Sequence, residues 1–564
     1  MSRWPNRRTL RTLVLFSTML VIPPDACEFV TGAANGRNSP NRPGRSHVAA
    51  GRASAQEPDA AAVQPSASSP IVDAQTPIPD LDAYVRSAME AWRVPGLSVA
   101  VVKDGRFLLS KGYGTKRAGT DDPVDRRTLF AIASNTKAFT AAAIAMLVED
   151  GKVRWDDPVR RHLPWLEMYN PYVTAELRVR DLLCHRSGLG TFSGDLLWYG
   201  TSYSPREILD RAKHLKPEGP FRTHYGYSNL MFLAAGEVVA SAGGKSWNAF
   251  VEERILKRLG MDRSATSVRD LVSRGNFATP HKTNANDSQP IEWVNWDSMA
   301  AAGGIVSSAD DMGRWMMAQL RQGQIDDHQR LFSAESSHEM WSAQMPIRIG
   351  PRASQRFPTT HFRAYGLGWS LSDYRGSKLV GHGGGYDGMY SQVMLVPEMN
   401  LGIVVLTNSM TSLPDSIVYR AIDLFIGGEP RDWSAENLEV FSKSRAEFRE
   451  RIDRAIQPVR ADTKPSHDLA DYGGRYGCDL YGDAVVSLEG EGLVLRLEPN
   501  PLLVADLTHL HYDTFVIRWR HAFSWFDEGT AHFTADARGV FRQLELDVPN
   551  DDLWFHELEL KRRK

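Results

Sequence analysis

The stretch from Ser134 to Glu149 reads SNTKAFTAAAIAMLVE. After its first turn it is Ala-rich and apolar almost all round, the pattern of a helix buried in a large core, and Asp150-Gly151 ends it. Its polar start carries chemistry, because i,i+3 spacing puts the Ser134 hydroxyl and the Lys137 ammonium on one face within reach of each other. A serine hydroxyl is inert at neutral pH unless a neighbouring base takes its proton, and a desolvated lysine can serve as that base. A Ser-x-x-Lys match alone is expected about once by chance in a chain this long. The plain reading is a capping serine and a snorkelling lysine. Against it, a charge at the start of an apolar helix costs several kcal/mol unless something uses it.

Outward from this helix the chain has a clear order. A helix starts near Asp80, where Leu81, Tyr84, Val85 and Met89 recur at helical spacing, and Pro95-Gly96 stops it. Strands at Leu97–Lys103 and Arg106–Tyr113 join at Asp104-Gly105 as a tight hairpin. Helices follow at Asn229–Ser241 and Ala309–Leu320, and strands return at Tyr390–Val396 and Leu401–Leu406. A helix-rich block is thus inserted between early and late strands of one domain, residues 80–428. Residues 429–466 read as a charged connecting helix and linker. From Tyr472, within 467–564, short alternating runs such as Leu493–Leu497 and Phe515–Trp519 are broken by Gly, Asp and Asn, the pattern of an all-β sandwich or small barrel.

Upstream, Arg3, Arg7, Arg8 and Arg11 precede the apolar run Leu13–Ile22, which predicts an export signal over 1–32 and a periplasmic or extracellular protein. Asp25 before Cys27 argues against a lipid anchor. Residues 33–79, rich in Ala, Ser, Pro, Gln and Gly, read as a disordered tether. No other stretch approaches the ~20 continuous apolar residues of a membrane span. The 564 residues carry 66 Lys+Arg against 68 Asp+Glu, so no basic excess points to nucleic acid. Three cysteines, Cys27, Cys184 and Cys478, are too few for a disulfide framework, and the last two read as buried thiols.

Two further motifs precede or join the predicted elements. Tyr227-Ser228-Asn229 stands before an apolar helix, where Asn229 could simply be its N-cap and Tyr227 a packed aromatic. His382-Gly383-Gly384 lies in the run Gly381–Gly385 just before the late strand, where glycines allow close backbone approach; the plain alternative is a turn with an exposed histidine.

In this order, Ser-x-x-Lys, Tyr-x-Asn and His-x-Gly resemble the serine β-lactamase and penicillin-binding-protein superfamily, in its class C and D-aminopeptidase-like branch (peptidase S12 type). Asp181–Leu189, Gly303–Ser308 with Asp310-Asp311-Met312, Leu259-Gly260-Met261, Tyr365–Trp369 and Leu406-Thr407-Asn408 extend the resemblance over about 80–428. It implies an α/β (α+β) fold: an antiparallel sheet flanked by helices, with a helical subdomain. The C-terminal region, through Tyr472–Tyr476 and Asp513–Phe515, resembles the lipocalin-like barrel appended to some of these hydrolases. By position, the resemblance implies Ser134 as the acylated nucleophile, Lys137 as its proton partner, and Tyr227 as a base whose phenolate Lys137 favours. Asn229 would bind the substrate amide, His382 and Gly384 would line the far side of the cleft, and the backbone N–H groups of Ser134 and Gly385 would form the oxyanion hole. The implied reaction is acyl transfer and hydrolysis of a small-molecule or peptide substrate, with no cofactor and no metal; a homo-oligomer is compatible with it.

One departure bears on substrate. Many penicillin-recognising relatives place Lys-Thr-Gly or Lys-Ser-Gly where this chain has His382 and Gly383, a partly charged imidazole and no hydroxyl. That favours a D-amino-acid peptide or a carboxyl ester over a β-lactam. The alternatives are penicillin-binding, β-lactamase or D-Ala-D-Ala carboxypeptidase activity, or a non-catalytic envelope binding or sensor protein of the same fold. Lookalikes fail: no G-x-S-x-G elbow accompanies His382–Gly385, Val239 stands where a P-loop before Lys245 requires its first glycine, and Ser342 replaces the second histidine of a zincin motif at His338-Glu339.

Overall fold

The computed structural model describes residues 79–283, 288–429, 431–460 and 462–564. The expected export signal, Cys27 and the tether up to residue 78 lie outside the described residues.

The chain enters through α1 (Pro79–Trp92) and turns into the hairpin β1 (Gly96–Lys103) and β2 (Arg106–Gly114). The buried helix α2 (Thr136–Glu149) follows, then α3 (Asn229–Gly243) and α4 (Ala309–Leu320) within the helical insertion. The chain returns through β3 (Met345–Pro346), β4 (Arg363–Tyr365), β5 (Ser370–Tyr374), β6 (Ser377–Tyr386), β7 (Met389–Val396) and β8 (Leu401–Thr407). Helix α5 (Leu413–Ile426) closes this part. The strands form one antiparallel sheet in the order β2-β1-β8-β7-β6-β5-β4-β3. The early hairpin pairs with the last strand, Val99 opposite Val405, so the helical insertion is held from both ends.

The sheet is covered on both faces, which is why β1 reads as a nearly continuous apolar run rather than an alternating one. Val99 and Val101 face a cluster with Leu81, Val85, Ile417 and Ile422 of α1 and α5, while Ala100 and Val102 face the larger core with Met312 of α4. Helix α2 is buried from Thr136 to Leu147, packed on α3, and Phe139 stacks on Trp315 with ring centroids 3.8 Å apart.

Helix α6 (Trp433–Ala455) leads to a closed eight-stranded barrel: β9 (Gly474–Cys478), β10 (Gly482–Glu489), β11 (Gly492–Leu497), β12 (Val504–His511), β13 (Thr514–Trp519), β14 (Gly529–Ala535), β15 (Phe541–Asp547) and β16 (Leu560–Arg562). Closure removes the edge strands that an open sheet would expose. Tyr472, Tyr476, Phe515, Phe533 and Phe541 fill the barrel, and the alternation of buried and exposed residues along β15 is what the sequence pattern anticipates. Cys184 and Cys478 are buried and free.

The barrel docks on the sheet-and-helix part through specific polar contacts. Glu557 accepts from the Ser193 hydroxyl at 2.5 Å and the Gly194 N–H at 2.9 Å, Asn500 Nδ2 donates to the Tyr199 carbonyl at 2.8 Å, and Lys282 pairs with Asp527 at 2.6 Å. Apolar residues of both parts belong to one continuous core.

Candidate active site

Ser134 does not open α2 itself: it lies in a 3₁₀ turn, Ala133–Asn135, and α2 starts at Thr136. Ala133 is held at φ +45°, left-handed backbone that costs an L-residue roughly 1–2 kcal/mol. This turn carries Ser134 into the cleft while keeping it 6% exposed. The expected Ser–Lys juxtaposition is present, with Lys137 Nζ 3.0 Å from Ser134 Oγ. Nζ also donates to Asn229 Oδ1 at 2.7 Å and to the Ala302 carbonyl at 3.0 Å, and it stands 4.7 Å from the centre of the Tyr227 ring.

Tyr227 and Asn229 come from the start of α3. Ser228, not Asn229, is the N-cap, its hydroxyl accepting from the Met231 N–H, so Asn229 is left for the site. Its amide bridges Lys137 to Asp195, with Nδ2 donating to Asp195 Oδ2 at 2.6 Å. One of the two N–H groups expected to meet a substrate amide is therefore engaged by Asp195. The Tyr227 hydroxyl is close enough to Ser134 to feel it but closes no hydrogen bond of standard geometry.

The glycine run is not the turn of the plain alternative: it is part of β6, and His382 is buried there, not exposed. Its Nε2 meets the Tyr365 hydroxyl at 2.7 Å and its Nδ1 the Gly383 carbonyl at 2.6 Å, so both ring nitrogens are occupied within the wall behind Tyr227. The glycines around it are required by space. A Cβ at Gly384 would stand 2.2 Å from the Ile132 carbonyl oxygen, the close approach that presses β6 against the Ser134 turn. A Cβ at Gly383 would stand 2.5 Å from the Tyr390 hydroxyl and 2.8 Å from Gln392 Oε1, so a threonine or serine there requires these side chains to shift. Ser134 and Gly385, the expected oxyanion pair, both line the cleft.

Burial dominates the electrostatics. It holds Lys137 well below its usual range, with the Asp195 charge partly opposing, and it raises the Tyr227 phenol well above its own. These directions favour a neutral amine beside a neutral phenol and run against the expected phenolate. His382 is lowered to about 3 by burial and then by the Lys137 charge, so it is neutral near pH 7, not fractionally charged. Asp195 is raised to about 7, chiefly by burial.

Residues given no role in the sequence complete the site. His185 is fully buried, its Nδ1 accepting from the Ser228 N–H at 3.0 Å and its ring 4.0 Å from that of Tyr227, which fixes the turn into α3. Tyr365 holds His382. Both fall in segments that carry the family resemblance, so a signal for them existed. For Asp195 and for Trp525, Asp552 and Leu553 of the barrel, all lining the cleft, local sequence offered none.

Residues 81–425 match the family model described as Beta-lactamase, and residues 459–562 match a domain of unknown function, DUF3471. Among curated proteins, the chain is 29% identical over 432 residues to "Unguisins hydrolase ungD'" of Aspergillus campestris, covering 73% of this chain and 78% of that one. It is 27% identical over 344 residues to "Protein flp" of Staphylococcus aureus, covering 58% and 62%. Among solved structures, an octameric penicillin-binding protein homologue from Pyrococcus abyssi superposes with a TM-score of 0.54 at 22% identity, over 86% of this chain and 99% of that one. A class C beta-lactamase gives 0.51 at 20%, over 62% and 96%. With a family model spanning its sheet, its helical insertion and the Ser134–Lys137 turn, this chain belongs to the beta-lactamase family.

Proposed function

We propose that the protein is an exported serine hydrolase that cleaves amide or ester substrates through an acyl-enzyme on Ser134, with D-amino-acid peptides or carboxyl esters preferred to β-lactams. The observation that carries this reading is the coordination of Lys137. Two fixed acceptors, Asn229 Oδ1 and the Ala302 carbonyl, take two of its N–H groups, and its third contact is the Ser134 hydroxyl. A neutral amine so held has its lone pair directed at Ser134 and can take the serine proton as Oγ attacks a carbonyl carbon. The proton then passes to the departing amine or alkoxide, with the Tyr227 hydroxyl placed to relay it. The backbone N–H groups of Ser134 and Gly385 would stabilise the oxyanion, a contribution of roughly 3–4 kcal/mol per donor. Water then attacks the acyl-enzyme by the same route in reverse.

The third motif supports the substrate preference: His382 supplies no cation near pH 7, and position 383 is a glycine, which offers no hydroxyl to a carboxylate. Export is supported by the arginine-rich start and apolar run of the first 22 residues. Among the described residues no helix is long and apolar enough to cross a membrane.

The test is intact mass of wild type and Ser134→Ala after exposure to a penicillin, a p-nitrophenyl ester and a D-Ala p-nitroanilide, with product release followed in parallel. Ser134-dependent turnover of the ester or the anilide without penicillin reaction is the expected result. A Ser134-bound penicillin adduct or penicillin turnover overturns the substrate preference, and turnover that survives in Ser134→Ala overturns the acyl-enzyme.

A further inference from the structure

Strands β6 and β7 are joined by Asp387-Gly388, with Tyr386 opposite Met389 and Gly388 at φ +69° in the tight turn. A hairpin tip of this composition ordinarily stands in solvent. This one is buried: Asp387 is 1% exposed, and burial raises its carboxyl to about 6. A buried carboxylate is costly unless its oxygens are satisfied, and the groups that satisfy this one are neutral. The Tyr199 hydroxyl donates to Oδ1 at 2.7 Å and the Trp296 indole N–H to Oδ2 at 3.2 Å, while the Trp525 indole stands close enough to favour the charged form further.

These donors have a second property in common. Tyr199, Trp296 and Trp525 all line the cleft that Ser134 and Gly385 share, whose free volume is about 40 Å³, room for a few water molecules or a short acyl chain. None of the three lies in a helix or a strand, so side-chain contacts and not backbone ladders must fix them. Ring packing supplies part of this, with Trp296 against Trp198 at 5.0 Å and Tyr386 at 4.6 Å between centroids. The carboxylate supplies a fixed reference point. Asp387 stands two residues beyond Gly385 on the same hairpin, so the acceptor of the wall residues and the expected oxyanion donor move as one piece.

We propose that Asp387 is a positioning residue that sets acyl-chain selectivity: through Tyr199 and Trp296 it holds the aromatic wall at a fixed distance from Ser134 and Gly385 and so restricts the site to short acyl groups. The inference rests on the serine-hydrolase reading for the meaning of the acyl group, whereas the hydrogen-bonded wall can be read without turnover.

The experiment measures kcat/KM for p-nitrophenyl acetate and butyrate with full-length wild type, Asp387→Ala, Asp387→Asn and Tyr199→Phe. Asp387→Ala is expected to raise the butyrate-to-acetate ratio about fivefold, the scale of one lost hydrogen bond. Tyr199→Phe is expected to move the ratio the same way by less, and Asp387→Ala/Tyr199→Phe no further than Asp387→Ala, because both changes remove one interaction. Asp387→Asn is expected to stay closer to wild type, since its carbonyl can accept from Trp296 and its amide can donate to the Tyr199 oxygen. Equal losses for both esters, the mark of a hairpin needed only for folding, overturn the proposal, as do additive shifts in the double variant. A second arm follows the Trp296 indole N–H resonance, assigned by its loss in Trp296→Phe, in isotope-labelled protein. It is expected to move upfield in Asp387→Ala, and a resonance that stays in place overturns the proposed wall. Ser134-dependent turnover with an unchanged ester ratio removes the inference and leaves the hydrolase; a shifted indole resonance with no Ser134-dependent turnover of any substrate leaves the wall and removes the hydrolase, and with it the acyl selectivity.

Discussion

At the scale of the residue, the site turns on how one lysine is held. Lys137 is fully buried with three oxygen neighbours, and burial pushes it toward the neutral amine that a proton acceptor must be. Replacing it by alanine is expected to lower kcat/KM by about 100- to 10,000-fold, the range for losing a positioned general base, as read by steady-state ester hydrolysis. The pH dependence follows with a definite sign. In the proposed reaction only the neutral amine accepts the Ser134 proton, so activity is expected to rise with pH along a limb that lies below the ordinary lysine value of 10.5. The Asp195 charge raises the Lys137 pKa, so Asp195→Asn shifts that limb to lower pH; a limb that stays in place or moves upward in a pH–kcat/KM profile refutes the coupling. His382 acts differently. Its neutral ring bridges Tyr365 and the Gly383 carbonyl, so it shapes the wall behind Tyr227 instead of supplying charge to a substrate.

At the scale of the element, strand β6 and the turn before α2 must approach more closely than side chains permit. Gly384 is the point of nearest approach, and Gly384→Ala is expected to cost about 1–3 kcal/mol, read by thermal or chemical denaturation, because the obstructing Ile132 carbonyl is backbone and cannot rotate away. Gly383→Thr meets a side chain instead. The single variant is expected to be destabilised by its clash with the Tyr390 hydroxyl, and Gly383→Thr/Tyr390→Phe to recover part of the loss. Additive losses in the double variant would show that Tyr390 is not the obstacle. The loop before α3 is anchored separately: buried Asp181 accepts from Arg186 Nε at 2.6 Å and Arg222 Nη2 at 2.8 Å, and His185 in the same loop fixes Ser228.

At the scale of the whole molecule, the barrel is a wall of the cleft. Trp525 lies against Gly385, and Leu553 and Asp552 line the same space. Trp525→Ala is expected to raise the ratio of kcat/KM for p-nitrophenyl butyrate over the acetate by removing bulk from the cleft wall. An unchanged ratio, with the fold intact by circular dichroism, would mean that the barrel does not limit acyl size. The single core shared by the two parts implies one cooperative unfolding transition, not two.

Much of this was legible in the chain itself. Helix α2, the β1–β2 hairpin, α3, α4 and the alternating strands near the C-terminus are written in local periodicity and turn residues, and Ser134 and Lys137 are three apart on one helical turn, so their meeting needed only local geometry. The antiparallel, helix-flanked sheet and the terminal barrel follow from that pattern together with the family resemblance. Tertiary structure alone decided the rest. The pairing of β1 with β8, the burial of His382 in a strand, the space Tyr390 takes from position 383, and the arrival of Asp552 and Trp525 at a serine some 400 residues earlier depend on contacts between distant segments. Periodicity reports which face of an element is buried; it carries no record of what that face is buried against.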